Sequence, residues 1–273
     1  MSRIREPAVA GYFYPADPSK LKDEVEKLLH SAAGGKLVGR LFGIVSPHAG
    51  YAYSGKTAAF GFNLLNKDKV KTVIIISPSH REYFPGVSVY DGDAFRTPLG
   101  IVPINKKTTE ALAKDGRSIF KGIEGHRQEH AIEVQVPFLQ MMMDDFEIVP
   151  VVMGDQGKMY IDELAAKLAE AVDETTVIVS SSDLSHYYPG NVAARMDSIV
   201  ERDINNFDYT GLQENFKAGR CEACGAGTII AMMKSADKLN YRKSKVLFRC
   251  DSGDTTGDKN EVVGYLSAVV YGD

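Results

Sequence analysis

Two apolar stretches that each run into Ser-Pro and a histidine decide the fold: Leu41-Phe-Gly-Ile-Val-Ser46-Pro47-His48 and Val73-Ile-Ile-Ile-Ser77-Pro78-Ser79-His80. Short continuous apolar runs rich in β-branched residues are typical of parallel strands that helices cover on both faces. Because proline stops a strand and keeps the residue before it extended, each histidine is expected at the rim of a sheet. A third strand, predicted over 175–180, leads into Asp183-Leu-Ser-His186.

Helical and strand patterns alternate around these stretches along all 273 residues. A strand pair over 87–90 and 101–104 indicates an antiparallel excursion between turn-rich segments. The alternation predicts one α/β domain over 1–273, a layered sandwich with a mixed, mostly parallel central sheet flanked by helices. Further strands are expected over 146–153, 243–249 and 261–271, and helices over 19–32, 54–66, 106–115, 129–143, 159–172, 191–206 and 228–239.

Composition excludes several classes of function. The formal net charge is -4, and 32 basic side chains are scattered among 36 acidic ones, so nucleic acid is not an expected partner. No apolar stretch approaches the roughly 18 residues of a membrane span, and the charged, aromatic N-terminal segment does not fit a secretory signal. Three cysteines are too few to staple a chain of this length. We therefore expect a cytoplasmic protein without a membrane partner.

The strand exits point to a metal site. The carboxyl ends of parallel strands share one sheet edge, where ligand sites form, so His48, His80, Asp183 and His186 are expected in one neighbourhood. Two imidazoles and one anion make a three-point site with open positions for iron, copper or zinc. The anion is either Asp183 or Cys224. Cys224 precedes the helix predicted from Thr228, and a helix N-terminus lowers the pKa of a thiol.

A competing motif is Gly125-His126-Arg127-Gln128-Glu129-His130, which matches the H-x-x-E-H signature of one class of zinc peptidases. That motif requires both histidines on one helix, yet Gly125 immediately precedes it and apolar periodicity begins only at Ile132. We therefore expect His126 to lie before the helix, and Glu129 and His130 to begin a helix that points into the cleft.

Several motifs together resemble the MEMO family. They are Pro7-Ala-Val-Ala-Gly-Tyr-Phe-Tyr-Pro15, Ser46-Pro-His-Ala-Gly-Tyr-Ala-Tyr-Ser-Gly55, Ser77-Pro-Ser-His80, Glu129-His-Ala-Ile-Glu-Val-Gln135, Ser181-Ser-Asp-Leu-Ser-His186 and Cys224-Gly225. That family is similar in fold to the class III extradiol dioxygenases, which are non-haem iron enzymes. The resemblance covers nearly the whole chain, and it implies the same α/β core here.

The resemblance also implies a ligand set and two candidate functions. His48, His80 and Cys224 match the metal ligands, with iron(II) expected first and copper or zinc as alternatives, while Asp183, His186 and His130 match catalytic positions beside them. One function is a non-haem iron-dependent, dioxygenase-like oxidoreductase acting on a small substrate. The other is a non-catalytic metal- or phosphopeptide-binding signalling protein, for which Arg81 and Arg127 offer cationic groups. Prokaryotic members of the family are linked to radical-SAM proteins.

Overall fold

The computed structural model describes residues 3–32 and 35–273. Its strands, β1 to β12, are Ile4–Arg5, Arg40–Ser46, Thr72–Pro78, Val87–Tyr90, Ala94–Thr97, Gly100–Pro103, Ile119–Gly122, Glu147–Met153, Thr176–Ser181, His186–Tyr188, Lys243–Asp251 and Val262–Gly272. Its α-helices, α1 to α9, are Pro18–Ser31, Tyr51–Phe62, Lys106–Ala113, Val136–Met142, Lys158–Ala171, Gly190–Asn205, Tyr209–Lys217, Ala226–Lys238 and Gly253–Thr256. A 3-10 turn, Glu133–Gln135, leads into α4.

The main sheet has the order β10-β12-β2-β9-β3-β8-β4-β7, and β11 pairs with β12. Its four central strands, β2, β9, β3 and β8, run parallel to one another. β12 and β4 flank them antiparallel. The layered α/β architecture with a mixed sheet, as predicted from the sequence, is therefore confirmed, and the parallel pairings of that sheet are the three between the central strands and that of β4 with β7 at one edge.

Alternation along β3 shows how the layers are held. Val73 and Ile75 pack in a cluster with α1, α2 and α4, whereas Ile74 and Ile76 pack with α3 and α5 to α8 on the other face. All four side chains are fully buried, and each such burial contributes about 1.5–3 kcal/mol to folding. Helices thus cover both faces of the sheet, and polar chemistry is left to its rims.

The predicted antiparallel excursion is divided between two sheets. Val87–Tyr90 pairs antiparallel with β8 in the main sheet. The segment predicted over 101–104 instead forms β6, the partner of β5 in a separate three-stranded sheet with β1. A two-residue loop, Pro98-Leu99, joins β5 and β6, and such a short connection pairs each strand with its neighbour in the chain.

The helix predicted over 129–143 is wrong in its first part. Residues 129–132 form no helix, and α4 begins only at Val136. Pro137 lies in the first turn of α4, where its missing N–H costs nothing, whereas a helix interior would lose a hydrogen bond. The Glu129 carboxylate also accepts the N–H groups of His130 and Ala131, so these two donors are satisfied without a helix.

The sequence patterns also missed α7 and the strands β1, β5, β7 and β10, all of them short. Within residues 3–32 and 35–273, no helix combines the length and the apolar character needed to cross a membrane.

Candidate metal centre

Three neighbouring strands deliver polar residues to one edge of the main sheet. His48, His80 and Asp183 each lie two positions beyond the last residue of β2, β3 and β9 respectively. Because β9 lies between β2 and β3, the three exits are adjacent, as the sequence predicted. Cys224 belongs to a different element, the turn that immediately precedes α8.

Gly225 allows this approach of the α8 N-terminus. A Cβ atom at residue 225 would lie 2.5 Å from the Ser181 carbonyl oxygen and 2.7 Å from the Ser182 Cβ. Its N–H donates to the Ser182 hydroxyl at 2.9 Å. Glycine is therefore required for the Cys224 turn to reach the end of β9.

His48, His80 and Cys224 form a group whose ligand atoms lie within 4.8 Å of one another. An ion with bonds of about 2.0–2.3 Å to nitrogen and sulfur holds its ligand atoms within roughly 4.6 Å of each other, so small side-chain movements suffice. The Cys224 Sγ lies 3.1 Å from the His48 Nε2, and the His48 and His80 ring centroids are 5.0 Å apart. The donor types and spacing fit a single transition-metal ion.

Hydrogen bonds fix the tautomer of His48. Its Nδ1 lies 2.9 Å from the Ser181 Oγ. That hydroxyl donates to the Ala131 carbonyl at 2.7 Å and accepts the Gln135 side-chain amide at 2.8 Å. Because Ser181 has already used its single proton, the His48 Nδ1 must donate. The lone pair of His48 therefore lies on Nε2, facing Cys224, as a metal ligand requires.

Glu129 fixes the orientation and the Nδ1 proton of His80. Its Oε1 accepts the His80 Nδ1–H at 2.9 Å, and its Oε2 accepts the His80 backbone N–H at 2.7 Å. Burial alone would raise the pKa of Glu129, but the hydrogen bonds and charge interaction with His80 outweigh it and lower this pKa to about 2. An ionised carboxylate behind a histidine is the usual outer partner of a metal-binding imidazole. The Nε2 of His80 is thereby left free.

The thiol of Cys224 differs from the prediction. Its Sγ accepts the Asp183 backbone N–H at 3.2 Å, but burial, followed by the nearby Asp183 charge, raises its pKa well above the ordinary value. The expected lowering by the helix N-terminus is thus wrong for the metal-free protein, because desolvation outweighs the dipole. Burial, with a contribution from His80, lowers the pKa of His48 to about 3. The metal-free pair is a neutral thiol beside a neutral imidazole.

Asp183 and His186 lie beside this group without bonding to each other. The Asp183 Oδ1 accepts the His48 backbone N–H at 2.7 Å, and its Oδ2 lies 4.0 Å from the His48 Nε2. Burial raises the pKa of Asp183. His186 is half-buried at the start of β10, and in the described structure its ring makes no hydrogen bond to Asp183. Asp183 therefore holds the His48 loop and not the His186 ring.

His130 completes a cluster of three imidazoles. Its ring centroid lies 4.8 Å from that of His80 and 5.4 Å from that of His48. Its buried Nδ1 makes no hydrogen bond in the described structure, although it lies 3.3 Å from the Glu129 Oε1. Burial and the neighbouring His48 lower the pKa of His130 to about 4. A neutral imidazole thus lies against both candidate histidine ligands, with its Nδ1 turned into the protein towards Glu129.

The competing motifs do not assemble a site. His126 is buried outside any helix, and its Nε2 lies 3.2 Å from the Ser88 carbonyl oxygen. Among the described residues it belongs neither to the group above nor to a second possible ligand group, formed by His80, Glu129 and His130. The H-x-x-E-H motif therefore does not place its two histidines on one helix. Arg127 forms an ion pair with Glu82 at 2.8 Å, which removes one of the two cations considered for phosphate.

Sequence patterns did not single out Ser181 and Gln135. Both are completely buried polar residues. The Gln135 amide also donates to the Pro47 carbonyl at 3.0 Å, and its oxygen accepts the Ser46 hydroxyl. Their positions inside the quoted motifs Glu129–Gln135 and Ser181–His186 were the available signal.

Comparisons with known proteins agree with this architecture. Residues 5–269 match the family model described as "Memo: Memo-like protein". A MEMO1 family protein of Thermoplasma volcanium is 37% identical over 97% of this chain and 98% of its own, and one of Methanocaldococcus jannaschii is 38% identical over 99% and 100%.

Among solved structures, the crystal structure of the uncharacterized protein JW3007 from Escherichia coli K12 matches with a TM-score of 0.53 and 14% identity. It covers 85% of this chain and 100% of that one. This likeness concerns the fold alone, and it agrees with the predicted layered α/β architecture. The family match, by contrast, spans almost the entire sequence. The chain therefore belongs to the Memo family.

Proposed function

We propose that this protein binds one transition-metal ion through the Nε2 atoms of His48 and His80 and the thiolate of Cys224, with iron(II) as the first candidate. The observation that carries the proposal is the pair of ring hydrogen bonds: Ser181 and Glu129 occupy the Nδ1 atoms of His48 and His80, which leaves the Nε2 atoms of both rings to serve the group that contains Cys224. Two imidazoles and one sulfur are ligands that suit iron(II), copper and zinc. The hard cations magnesium and calcium prefer oxygen ligands and do not fit this set.

We further propose that the site is a redox or oxygenase centre for a small substrate. Iron(II), when bound, would supply one-electron and Lewis-acid chemistry at its open positions. The chain's own residues would bind and move protons around that substrate: His130 presents a neutral ring beside those of His48 and His80, and half-buried His186 lies at the start of β10. Asp183 would keep the His48 loop in place through its bond to the His48 N–H.

Metal binding is tested with cobalt(II), whose sulfur-to-metal charge-transfer band reports a thiolate ligand. We expect one ion per chain, loss of the band in Cys224→Ser, and loss of binding in His48→Ala and His80→Ala. Cys250→Ser and His126→Gln are matched controls, since neither residue belongs to the group, and both should keep the ion and the band. Binding without a charge-transfer band in the wild type would contradict the ligand set.

Turnover is tested on protein loaded anaerobically with iron(II) and then exposed to oxygen with a series of catechols. Ring cleavage or oxygen uptake that disappears in His48→Ala supports the oxygenase. Metal binding without any consumption of oxygen would leave the non-catalytic metal-binding function. Phosphotyrosine peptides provide the third arm, because binding that survives the loss of both His48 and His80 would favour recognition over metal chemistry.

A further inference from the structure

The buried guanidinium of Arg5 lies behind the proposed metal centre. Arg5 is the only lysine or arginine classed as buried within the described ranges 3–32 and 35–273, and its side chain is 4% exposed. Its Nε donates to the His126 carbonyl at 3.2 Å, its Nη2 donates to the Glu129 carbonyl, and its Nη1 pairs with the Glu133 carboxylate. One planar fork therefore holds three points of the segment 126–133.

We propose that Arg5 is a positioning residue for the metal centre: by holding the 126–133 segment, it fixes Glu129 in the place from which Glu129 orients His80. This inference rests on the proposed function, because it assigns a role at the same site. Arg5 touches neither the candidate ligands nor their ring nitrogens, and it acts only through Glu129.

The segment needs an external restraint because it has little regular structure of its own. Residues 123–132 form neither helix nor strand, so no backbone ladder sets the place of Glu129. On one side of Glu129, its carbonyl accepts from Arg5. On the other side, its carboxylate accepts both the backbone and the ring N–H groups of His80. A shift of this backbone would therefore be transmitted directly to the His80 ring.

Glu133 ties the same segment to the rest of the N-terminal strap, which we define as residues 5–14. Its fully buried carboxylate accepts the N–H groups of Ala8 and Val9, at 2.7 and 3.0 Å, and the Tyr14 hydroxyl at 2.5 Å. The strap also reaches the site through Phe13, whose ring packs 4.9 Å from that of His130. The hydrogen bonds of Arg5 are thus part of a continuous attachment of the N-terminal strap to the segment 126–133.

Arg5→Lys tests the fork while keeping the positive charge. A lysine ammonium is a point donor and cannot hold three acceptors in one plane. Loss of an outer partner of a metal site typically costs 10–100-fold in affinity, so we expect cobalt(II) to bind Arg5→Lys about 10–100-fold more weakly than the wild type. The double variant Arg5→Met/Glu133→Gln removes both buried charges together and should show the same loss.

A stability-matched control separates positioning from general destabilisation. Val200→Ala opens a cavity in α6, on the other face of the sheet, and its thermal unfolding can be compared with that of Arg5→Lys. Cobalt(II) affinity in Val200→Ala should stay within about twofold of the wild type. Equal losses in the two variants, or wild-type affinity in Arg5→Lys, would overturn the proposal.

A readout without metal distinguishes this inference from the proposed function. Long-range proton–nitrogen NMR spectra of protein labelled with nitrogen-15 histidine report the tautomer of His80, assigned with His80→Gln. We expect one Nδ1–H tautomer in the wild type and in Val200→Ala, and a mixture in Arg5→Lys. If the wild type binds no metal but the tautomer responds to Arg5→Lys, the metal proposal fails and the positioning role stands. If the tautomer is unchanged, the positioning role fails.

Discussion

Metal binding should release one proton, and Cys224 should be its source. Burial raises the pKa of this thiol above the ordinary value, so at pH 7 the metal-free protein carries a neutral thiol, whereas only the thiolate is a metal ligand. The lowered pKa of His48, about 3, means that this ring has no proton to give. The lowered pKa of Glu129, about 2, gives the same result for its carboxylate.

The size of the effect follows from this count. Each proton released makes the apparent affinity tenfold tighter per pH unit, which equals about 1.4 kcal/mol. Between pH 7 and 8, where an ordinary imidazole is already neutral, we therefore expect a tenfold gain in cobalt(II) affinity for the wild type. Cys224→Ser should release one proton fewer, because a serine hydroxyl does not ionise in this range. Its gain in affinity per pH unit should therefore be tenfold smaller.

Protons released into weakly buffered solution can be counted with a pH indicator as cobalt(II) is added. Taking the difference between wild type and Cys224→Ser removes any proton lost by metal-bound water. Cys250→Ser should behave as the wild type, since its thiol is not in the ligand group. A difference near zero would refute the reasoning, because it would mean either that the thiolate is already formed or that Cys224 does not bind the ion.

Two further outcomes are expected. In the metal-free protein, the folded-state pKa values of His48, His126 and His130 are lowered to about 3, 3 and 4. The stabilising contribution of these neutral rings is present above the ordinary histidine pKa and is lost as pH falls from about 6.5 towards 4. Each ring lowers the free energy of unfolding by about 1.4 kcal/mol per pH unit in this window. Denaturant unfolding at several pH values should show a free energy of unfolding that decreases as pH falls through this window, with a shallower decrease in His126→Gln, and a pH-independent free energy of unfolding would contradict it. Gly225→Ala should lower both the thermal midpoint and the metal content, because its Cβ would meet a backbone carbonyl oxygen at 2.5 Å. Gly190→Ala should leave both unchanged, because its Cβ would meet only Lys259, at 3.3 Å from the side chain and 3.6 Å from the carbonyl oxygen.

The convergence of the strand exits could be predicted because it depends on local patterns. Continuous apolar runs ending in Ser-Pro identify β2 and β3, and parallel pairing then brings His48 and His80 to one edge. The adjacency of their exits to that of β9 also follows from the alternation of strands and helices. These inferences need only the period of the side chains and the conformational limits of proline.

Other features depend on contacts that no local pattern encodes. Arg5 and Glu133 are 128 positions apart, and no sequence pattern around either residue indicates that they form an ion pair. The direction of the Cys224 pKa shift was predicted wrongly, because a helix N-terminus is visible in sequence whereas the burial of the thiol is not. The irregular course of residues 129–132 was missed because no sequence pattern shows that the Glu129 carboxylate accepts the N–H groups of His130 and Ala131 outside a helix.

The distance along the chain between His48 and Cys224 governs when the site can exist during synthesis. These residues are 176 positions apart, and the strand exit of His80 lies between them. A ribosome-bound chain that ends before Cys224 would lack the sulfur ligand altogether, so an ion captured early would be held by imidazoles alone. Full-strength retention of the ion would therefore mark a chain that has grown and folded past the N-terminus of α8.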